Sequence, residues 1–279
     1  MVRQRSPNDC LTSSDLHVSA ATAIEVLACP GCWAHLEPDA GQLRCVGCDR
    51  GFIAHGGVWD FAPEIAPQPG VAQRFMEHSA VARIYEDWFR PALTRAVSGP
   101  SYADEERYLD AWLGTPDGPV LDLACGTGRY TRWMARRLGA ARVLGLDLSS
   151  PMLRRARAAS RAEGQGELLY VRGSALSLPI ASGLLAAVSS FGALHLFPSA
   201  EQALGEVGRV LRPGGAFTCL TTGLTAGLAA RAAERAFSRI ATVRFFERSE
   251  LERCLRAAGL EPLDFTARGA LLLFAARRR

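Results

Sequence analysis

The chain contains no lysine: all 32 of its Lys-plus-Arg positions are arginine. That removes the P-loop lysine that reaches nucleotide phosphates, the Schiff-base lysine and the kinase-type lysine, and three large enzyme classes with them. Long apolar runs are missing too. The stretch from Gly269 to Ala276 is far too short to span a bilayer, and Glu25 breaks the only mildly apolar run near the amino terminus, so neither a membrane partner nor a secretory signal is expected. Nor is there a strong charge of one sign. The 32 basic and 28 acidic residues leave a formal +4, too balanced to argue for nucleic acid by itself. A cytoplasmic, reducing location is expected, where eight cysteines read as metal ligands, buried small side chains or reactive thiols rather than as disulfides.

What is present suggests two units. A length of 279 residues, 48% hydrophobic and 22% charged, suits one α/β domain plus a small module. Residues 1–23 are small and polar without a period, and are expected to be a disordered tail. Residues 24–63 hold four cysteines. Residues 64–118 read as a linker and helical cover: three prolines and a glycine punctuate Ala62 to Gly70, and Phe75, Val81, Ile84, Tyr85, Trp88 and Phe89 then recur at helical spacing. A second amphipathic stretch runs from Tyr102 to Leu113. From residue 119 to 279 strands and helices alternate. Strands are expected at Val120 to Leu123, Arg142 to Asp147, Leu168 to Arg172, Leu185 to Phe191 and Gly215 to Thr222, and around Leu260 and Leu271. This rhythm predicts an α/β, Rossmann-like, doubly wound and mostly parallel sheet. An Ala- and Arg-rich insertion from Ala226 to Ile240 is a candidate lid.

Cys29-Pro30-Gly31-Cys32 and Cys45-Val46-Gly47-Cys48 are two Cys-x2-Cys knuckles twelve residues apart. Four thiolates at this spacing make a closed tetrahedral Zn²⁺ shell with no position left for water, which is a structural metal stabilising a ribbon too small to hold a core unaided. Four free thiols are the competing reading. His35 and His55 are possible substitute ligands, expected as bystanders.

The densest signal is Val120-Leu121-Asp122-Leu123-Ala124-Cys125-Gly126-Thr127-Gly128, an apolar strand running into a two-glycine turn ahead of a helix. Such a turn lets a nucleoside-like ligand lie against bare backbone at the carboxyl edge of a sheet. Asp147 ends the next strand nineteen residues after Gly128, where a carboxylate can accept bonds from vicinal ribose hydroxyls. Phosphate is disfavoured: Thr131 replaces the third glycine of a dinucleotide fingerprint, and Asp122 sets a negative charge nearby.

Together these features resemble the class I S-adenosylmethionine (SAM) methyltransferases, over roughly residues 72–279. Gly145-Leu146-Asp147-Leu148-Ser149 with Met152-Leu153 is similar to the family's ribose-binding motif, and Leu211-Arg212-Pro213-Gly214-Gly215 to its turn before the fifth strand. Gly173-Ser174-Ala175 resembles a third motif in which an acid normally approaches the adenine amine; here Ser174 replaces the acid. The resemblance implies SAM contacts from Asp122, Ala124, Gly126, Thr127, Gly128, Asp147, Leu148, Met152, Ser174, Ala175 and Phe191. Residues Leu27 to Phe61 resemble the zinc ribbons joined to or partnered with methyltransferases.

The acceptor is read from the end of the fourth strand of the α/β unit. Ser189 to Pro198 carries no Asn/Asp-Pro-Pro-aromatic clamp of nucleic-acid amino methyltransferases. His195 follows that strand at the ligand edge, where an imidazole can deprotonate a phenol, enol or acidic carbon; a packed histidine is the alternative. Tyr85, Trp88 and Phe89 are candidate walls for the acceptor, or core packing. The leading expectation is methyl transfer to oxygen or carbon of a small organic acceptor in specialised metabolism. An rRNA or tRNA base methyltransferase stays open, because rRNA guanine methyltransferases also carry an amino-terminal zinc module, as does a SAM-binding protein that does not methylate. The oligomeric state is left open.

Overall fold

The computed structural model describes residues 24–62, 78–224 and 242–279. The expected tail, most of the Pro-rich linker, Phe75 and the candidate lid at 226–240 lie outside the described residues, as does Cys10.

The α/β unit is built on seven strands. Four are parallel neighbours buried on both faces and accordingly apolar: β5 (Val120–Leu123), β6 (Val143–Asp147), β7 (Leu169–Arg172) and β8 (Leu185–Phe191). Next to β8 lies β9 (Leu211–Thr222), also parallel, followed by the antiparallel β11 (Leu271–Arg278) and β10 (Leu260–Arg268). The order β7-β6-β5-β8-β9-β11-β10 reverses direction at β5, which puts the switch point at the carboxyl ends of β5 and β8.

Helices cover the sheet, and their ends follow local chemistry. Ser101 and Asp104 form a reciprocal capping box on the helix Tyr102–Leu113, Ser149 caps Ser150–Ala162 through the Met152 amide, and Ser199 caps Ala200–Val210 through the Gln202 amide. Arg129–Leu138 starts at Gly128, and Arg248–Ala257 follows the undescribed segment. The cover ahead of the sheet is Ser79–Ile84, a π-helical turn Tyr85–Phe89 and Arg90–Ala96.

One strand boundary departs from the sequence reading, and the ribbon's placement, which the sequence left open, is defined. Strand β9 begins at Leu211, not Gly215: Leu211 already pairs with Leu185, and the ladder shifts register before Ala187 while Gly214 takes φ 77°. The ribbon, in addition, does not stand apart. Its strands β1 (Leu36–Asp39), β2 (Gln42–Cys45), β3 (Gly51–His55) and β4 (Val58–Asp60) continue the large sheet, because β4 pairs in parallel with β7, Val58 to Tyr170, Trp59 to Val171 and Asp60 to Arg172. One apolar cluster runs through both units, joining Val26, Leu36, Phe52 and Phe61 to Val171, Leu178 and Ile180. The ribbon thus buries its apolar face against the larger domain, which a small module needs in order to be ordered.

Candidate active site

The turn after β5 is tied by backbone bonds. The Cys125 amide donates to the Leu146 carbonyl at 3.0 Å and the Gly128 amide to the Cys125 carbonyl at 2.9 Å. Ala124, Gly126 and Gly128 all have positive φ, at 56°, 55° and 76°. For the alanine this is a strained conformation of the kind that gathers at ligand sites. The Gly126 amide donates to Asp147 Oδ2 and the Ser149 amide to Asp147 Oδ1, each at 2.8 Å, so the carboxylate is oriented from both sides.

A cleft lies at the switch point. Asp122, Ala124, Gly126, Thr127, Asp147, Leu148, Met152, Ser174, Ala175 and Phe191 line it. Gly128 does not. A Cβ there would stand 2.5 Å from the Tyr170 hydroxyl and 2.9 Å from the Ala156 Cβ, so this glycine serves the packing of helix against strand. At Gly126 a Cβ would meet nothing within 4 Å. These residues fit a SAM cradle: a glycine open to the ligand at the turn, a fixed carboxylate beside it and a mostly apolar wall.

Several expected residues sit in surroundings that the sequence did not show. Asp122 is 1% exposed, accepts from Thr131 Oγ1 at 2.6 Å, and is pushed up to about 7 by burial. His195 sits in the short 3-10 turn Leu194–Leu196 and is absent from the cleft wall, although Ala193, Leu196, Phe197 and Pro198 around it form part of that wall. Its Nδ1 is buried with no hydrogen-bond partner, and burial, reinforced by the positive Arg90, lowers the imidazole to about 4. Of the three aromatics, Tyr85 faces the cleft. Trp88 is 76% exposed and does not line it, because the π-helical turn rotates it outward, while Phe89 stacks on Tyr85 at 6.0 Å behind the wall.

The far wall holds residues that the sequence reading missed. Arg90 is 8% exposed and lines the cleft. Its Nη2 donates to Glu105 Oε2 at 2.7 Å, and its guanidinium lies 5.0 and 5.7 Å from the Tyr102 and Tyr130 ring centres. Burial opposes its charge, but the Glu105 carboxylate that it bonds helps to outweigh that and hold it protonated. The Tyr130 hydroxyl donates to the same Glu105 oxygen. Glu86, also on the wall, accepts from Thr127 Oγ1 at 2.9 Å and Arg132 Nη2 at 2.7 Å, pinning the cover to the glycine turn.

The four knuckle cysteines meet at one point. Their Sγ atoms all lie within 4.8 Å of one another, with Cys29 to Cys48 at 3.7 Å and Cys32 to Cys45 at 3.3 Å. Zinc–sulfur bonds of about 2.3 Å in a tetrahedron require edges of about 3.8 Å, so the donor set fits Zn²⁺ closely. The Gly31 and Gly47 amides each point at a cysteine sulfur of their own knuckle, at 3.4 Å. Among the described residues no other group of three or more His, Cys, Asp or Glu gathers in this way.

Comparison with known proteins agrees with this geometry. The family described as "Methyltransferase domain" matches residues 120–215. The chain is 30% identical over 222 residues to the uncharacterized methyltransferase At1g78140, chloroplastic, of Arabidopsis thaliana, covering 71% of this chain and 61% of that protein. It is 38% identical over 129 residues to the demethylmenaquinone methyltransferase of Thermus thermophilus, covering 46% of this chain and 58% of that protein. The chain thus spans about three fifths of both relatives. In fold it matches a chain from the complex of the Haloferax volcanii Trm112 methyltransferase activator with a methyltransferase, at TM-score 0.57 and 20% identity over 71% of this chain and 96% of that one. Sheet order, glycine turn and family match together identify residues 120–215 as a methyltransferase domain.

Proposed function

We propose that the protein transfers the methyl group of SAM to oxygen or carbon of a small organic acceptor. The observation that carries this reading is the shape of the cleft's two ends. One end has the open Gly126 turn and the doubly oriented Asp147 for a nucleoside. The other is a wall of Tyr85, Arg90, Tyr102 and Tyr130, three phenol rings and one buried cation, a chemistry suited to a ring or enol. The Thermus thermophilus relative is by name a demethylmenaquinone methyltransferase, which supports this choice over RNA.

The bound cofactor would supply an electrophilic methyl on a sulfonium. The chain's part is alignment. Asp147 holds the ribose, Ser174 and Ala175 border the adenine, and Asp122, about half-protonated near pH 7, braces the turn through Thr131. At the acceptor end the Arg90 guanidinium and the Tyr85 hydroxyl offer hydrogen bonds to an oxygen that becomes anionic as its proton leaves. Burial keeps Tyr85 raised and therefore a donor.

In the same reading Cys29, Cys32, Cys45 and Cys48 hold one structural Zn²⁺, and the protein works in a reducing compartment, the cytoplasm, where thiolates persist. No helix among the described residues is long and apolar enough to cross a membrane.

The experiment is calorimetry with S-adenosylhomocysteine, then turnover with SAM and a panel of phenols, quinols, 1,3-dicarbonyls and transfer RNA, with S-adenosylhomocysteine formation as readout. Product with a small acceptor supports the proposal. Product with RNA alone, or no nucleoside binding, overturns it.

A further inference from the structure

The cysteine ribbon and the cofactor cleft are joined by one loop. Residues 173–181 begin at Gly173, Ser174 and Ala175 on the cleft wall and end bonded to the ribbon. The Ala28 amide donates to the Pro179 carbonyl at 3.0 Å, and the Ala181 amide to the Val26 carbonyl at 2.9 Å. Ser177 Oγ donates at 3.1 Å to the carbonyl of Pro30, inside the first knuckle. On the other side of Ser174, Arg172 is shared between ribbon and cleft. Its Nη1 meets the Asp60 carboxylate at 2.9 and 3.3 Å, and its Nε donates at 3.1 Å to the carbonyl of Leu148, the cleft residue next to Asp147. The Phe61 amide closes the same corner on the Arg172 carbonyl at 2.8 Å.

We propose that the ribbon is the fixed support behind the nucleoside pocket: Asp60, through Arg172 and the Leu148 carbonyl, and Ser177, through Pro30, are positioning residues that pre-order the adenine and ribose loops for the cofactor. This rests on the proposed function. The physical reason is preorganisation. Segments 148–149 and 173–176 are loops, and a ligand that must order loops on arrival binds more weakly than one that meets them already set. Hydrogen bonds to a partner 112 residues away set them in advance. Asp60 touches no part of the cleft itself, so its contribution there has to travel through Arg172. The Asp60–Arg172 pair is about a third exposed, at 30% and 34% of the two side chains, and a pair of that kind contributes little to global stability. Its removal therefore separates positioning from folding.

The test uses the full chain with Asp60→Asn and, separately, Ser177→Ala, each compared with the parent for S-adenosylhomocysteine Kd, SAM KM, kcat at saturating SAM, zinc content and Tm. The expected result is a Kd and a SAM KM raised roughly tenfold for Asp60→Asn and less for Ser177→Ala, with kcat, metal content and Tm near those of the parent. Adding Arg172→Gln to Asp60→Asn should then cost little more, because both act through one strut. Parent-like Kd in both single variants, or kcat falling while KM stays, overturns the proposal. If Asp60→Asn loses its fold, Ser177→Ala alone decides between these outcomes. Failure of the parent itself to bind S-adenosylhomocysteine would strike the functional reading instead.

Discussion

The Gly126 amide and the Asp147 carboxylate are bonded at 2.8 Å, which ties the tip of the turn after β5 to the end of β6. The turn's shape and the carboxylate's aim are thus one property. Replacing Asp147 with Asn removes the charge and weakens the Gly126 bond together. Charge-assisted hydrogen bonds contribute about 1.5–3 kcal/mol each, so S-adenosylhomocysteine should bind Asp147→Asn at least tenfold more weakly. Calorimetry at pH 7.5 measures this, and unchanged affinity would remove Asp147 from the cofactor site.

Asp122 makes a pH prediction with a definite sign. Burial raises its carboxyl to about 7 in the folded protein, against about 3.9 in an unfolded chain. Between those values the folded state holds a proton that the unfolded state releases, so this group's contribution to stability is complete below about pH 4 and is lost as pH rises through 7. Asp122→Asn stays neutral throughout. Its Tm should exceed the parent's at pH 8 and approach it at pH 4, with an upper bound on the order of 4 kcal/mol from the size of the shift. Thermal melts across pH 4–8 check the trend, and a variant less stable at pH 8 would contradict it.

The imidazole of His195 shifts the opposite way. Lowered to about 4, it is neutral near pH 7 and a weak base, and it does not reach the cleft. His195→Gln is expected to keep turnover within about threefold of the parent, whereas lost acid–base help would cost on the order of 10²–10⁴. A depressed histidine stabilises above its unfolded value and loses that contribution as pH falls through the folded one. The parent should therefore lose stability between about pH 6.5 and 4, and His195→Gln should lose less over the same window.

What was legible in the chain was local. Asp122 to Gly128, Asp147 with Ser149, and the paired knuckles are contiguous patterns, and each reaches its place through neighbouring backbone. The far wall was not legible, since Arg90 meets Glu105, and Glu86 meets Thr127, across breaks in secondary structure that carry no period. The β4–β7 pairing was hidden for a related reason: a parallel ladder between Asp60 and Arg172 leaves no turn signature in between. His195 and Trp88 show a different limit. Each stands where the pattern put it along the chain, but a 3-10 turn and a π-helical turn decide which way the side chain points. Gly126 and Gly128 looked equivalent, yet only Gly126 lines the cleft.

Those two glycines give the sharpest separation of folding from binding. Both have positive φ, so alanine at either position costs about 1–2 kcal/mol in backbone strain. At Gly128 the added methyl also meets Tyr170, a fully buried ring whose hydroxyl is held by Ser160 at 2.8 Å, and Ala156 on the facing helix. Neither neighbour can retreat without opening the packing between strand and helix, and overpacking of this kind costs about 1–3 kcal/mol more. Gly128→Ala should therefore lower Tm by several degrees, on the order of 5–10 °C. At Gly126 the methyl points into open cleft, so Tm should fall by the smaller strain contribution alone while S-adenosylhomocysteine affinity drops by at least about tenfold, because the new group occupies space meant for the ligand. Melting curves with and without the nucleoside read both effects in one experiment. The parent should be stabilised by ligand and Gly126→Ala should not; equal ligand-induced shifts in the two proteins would mean that the cofactor does not lie against this turn.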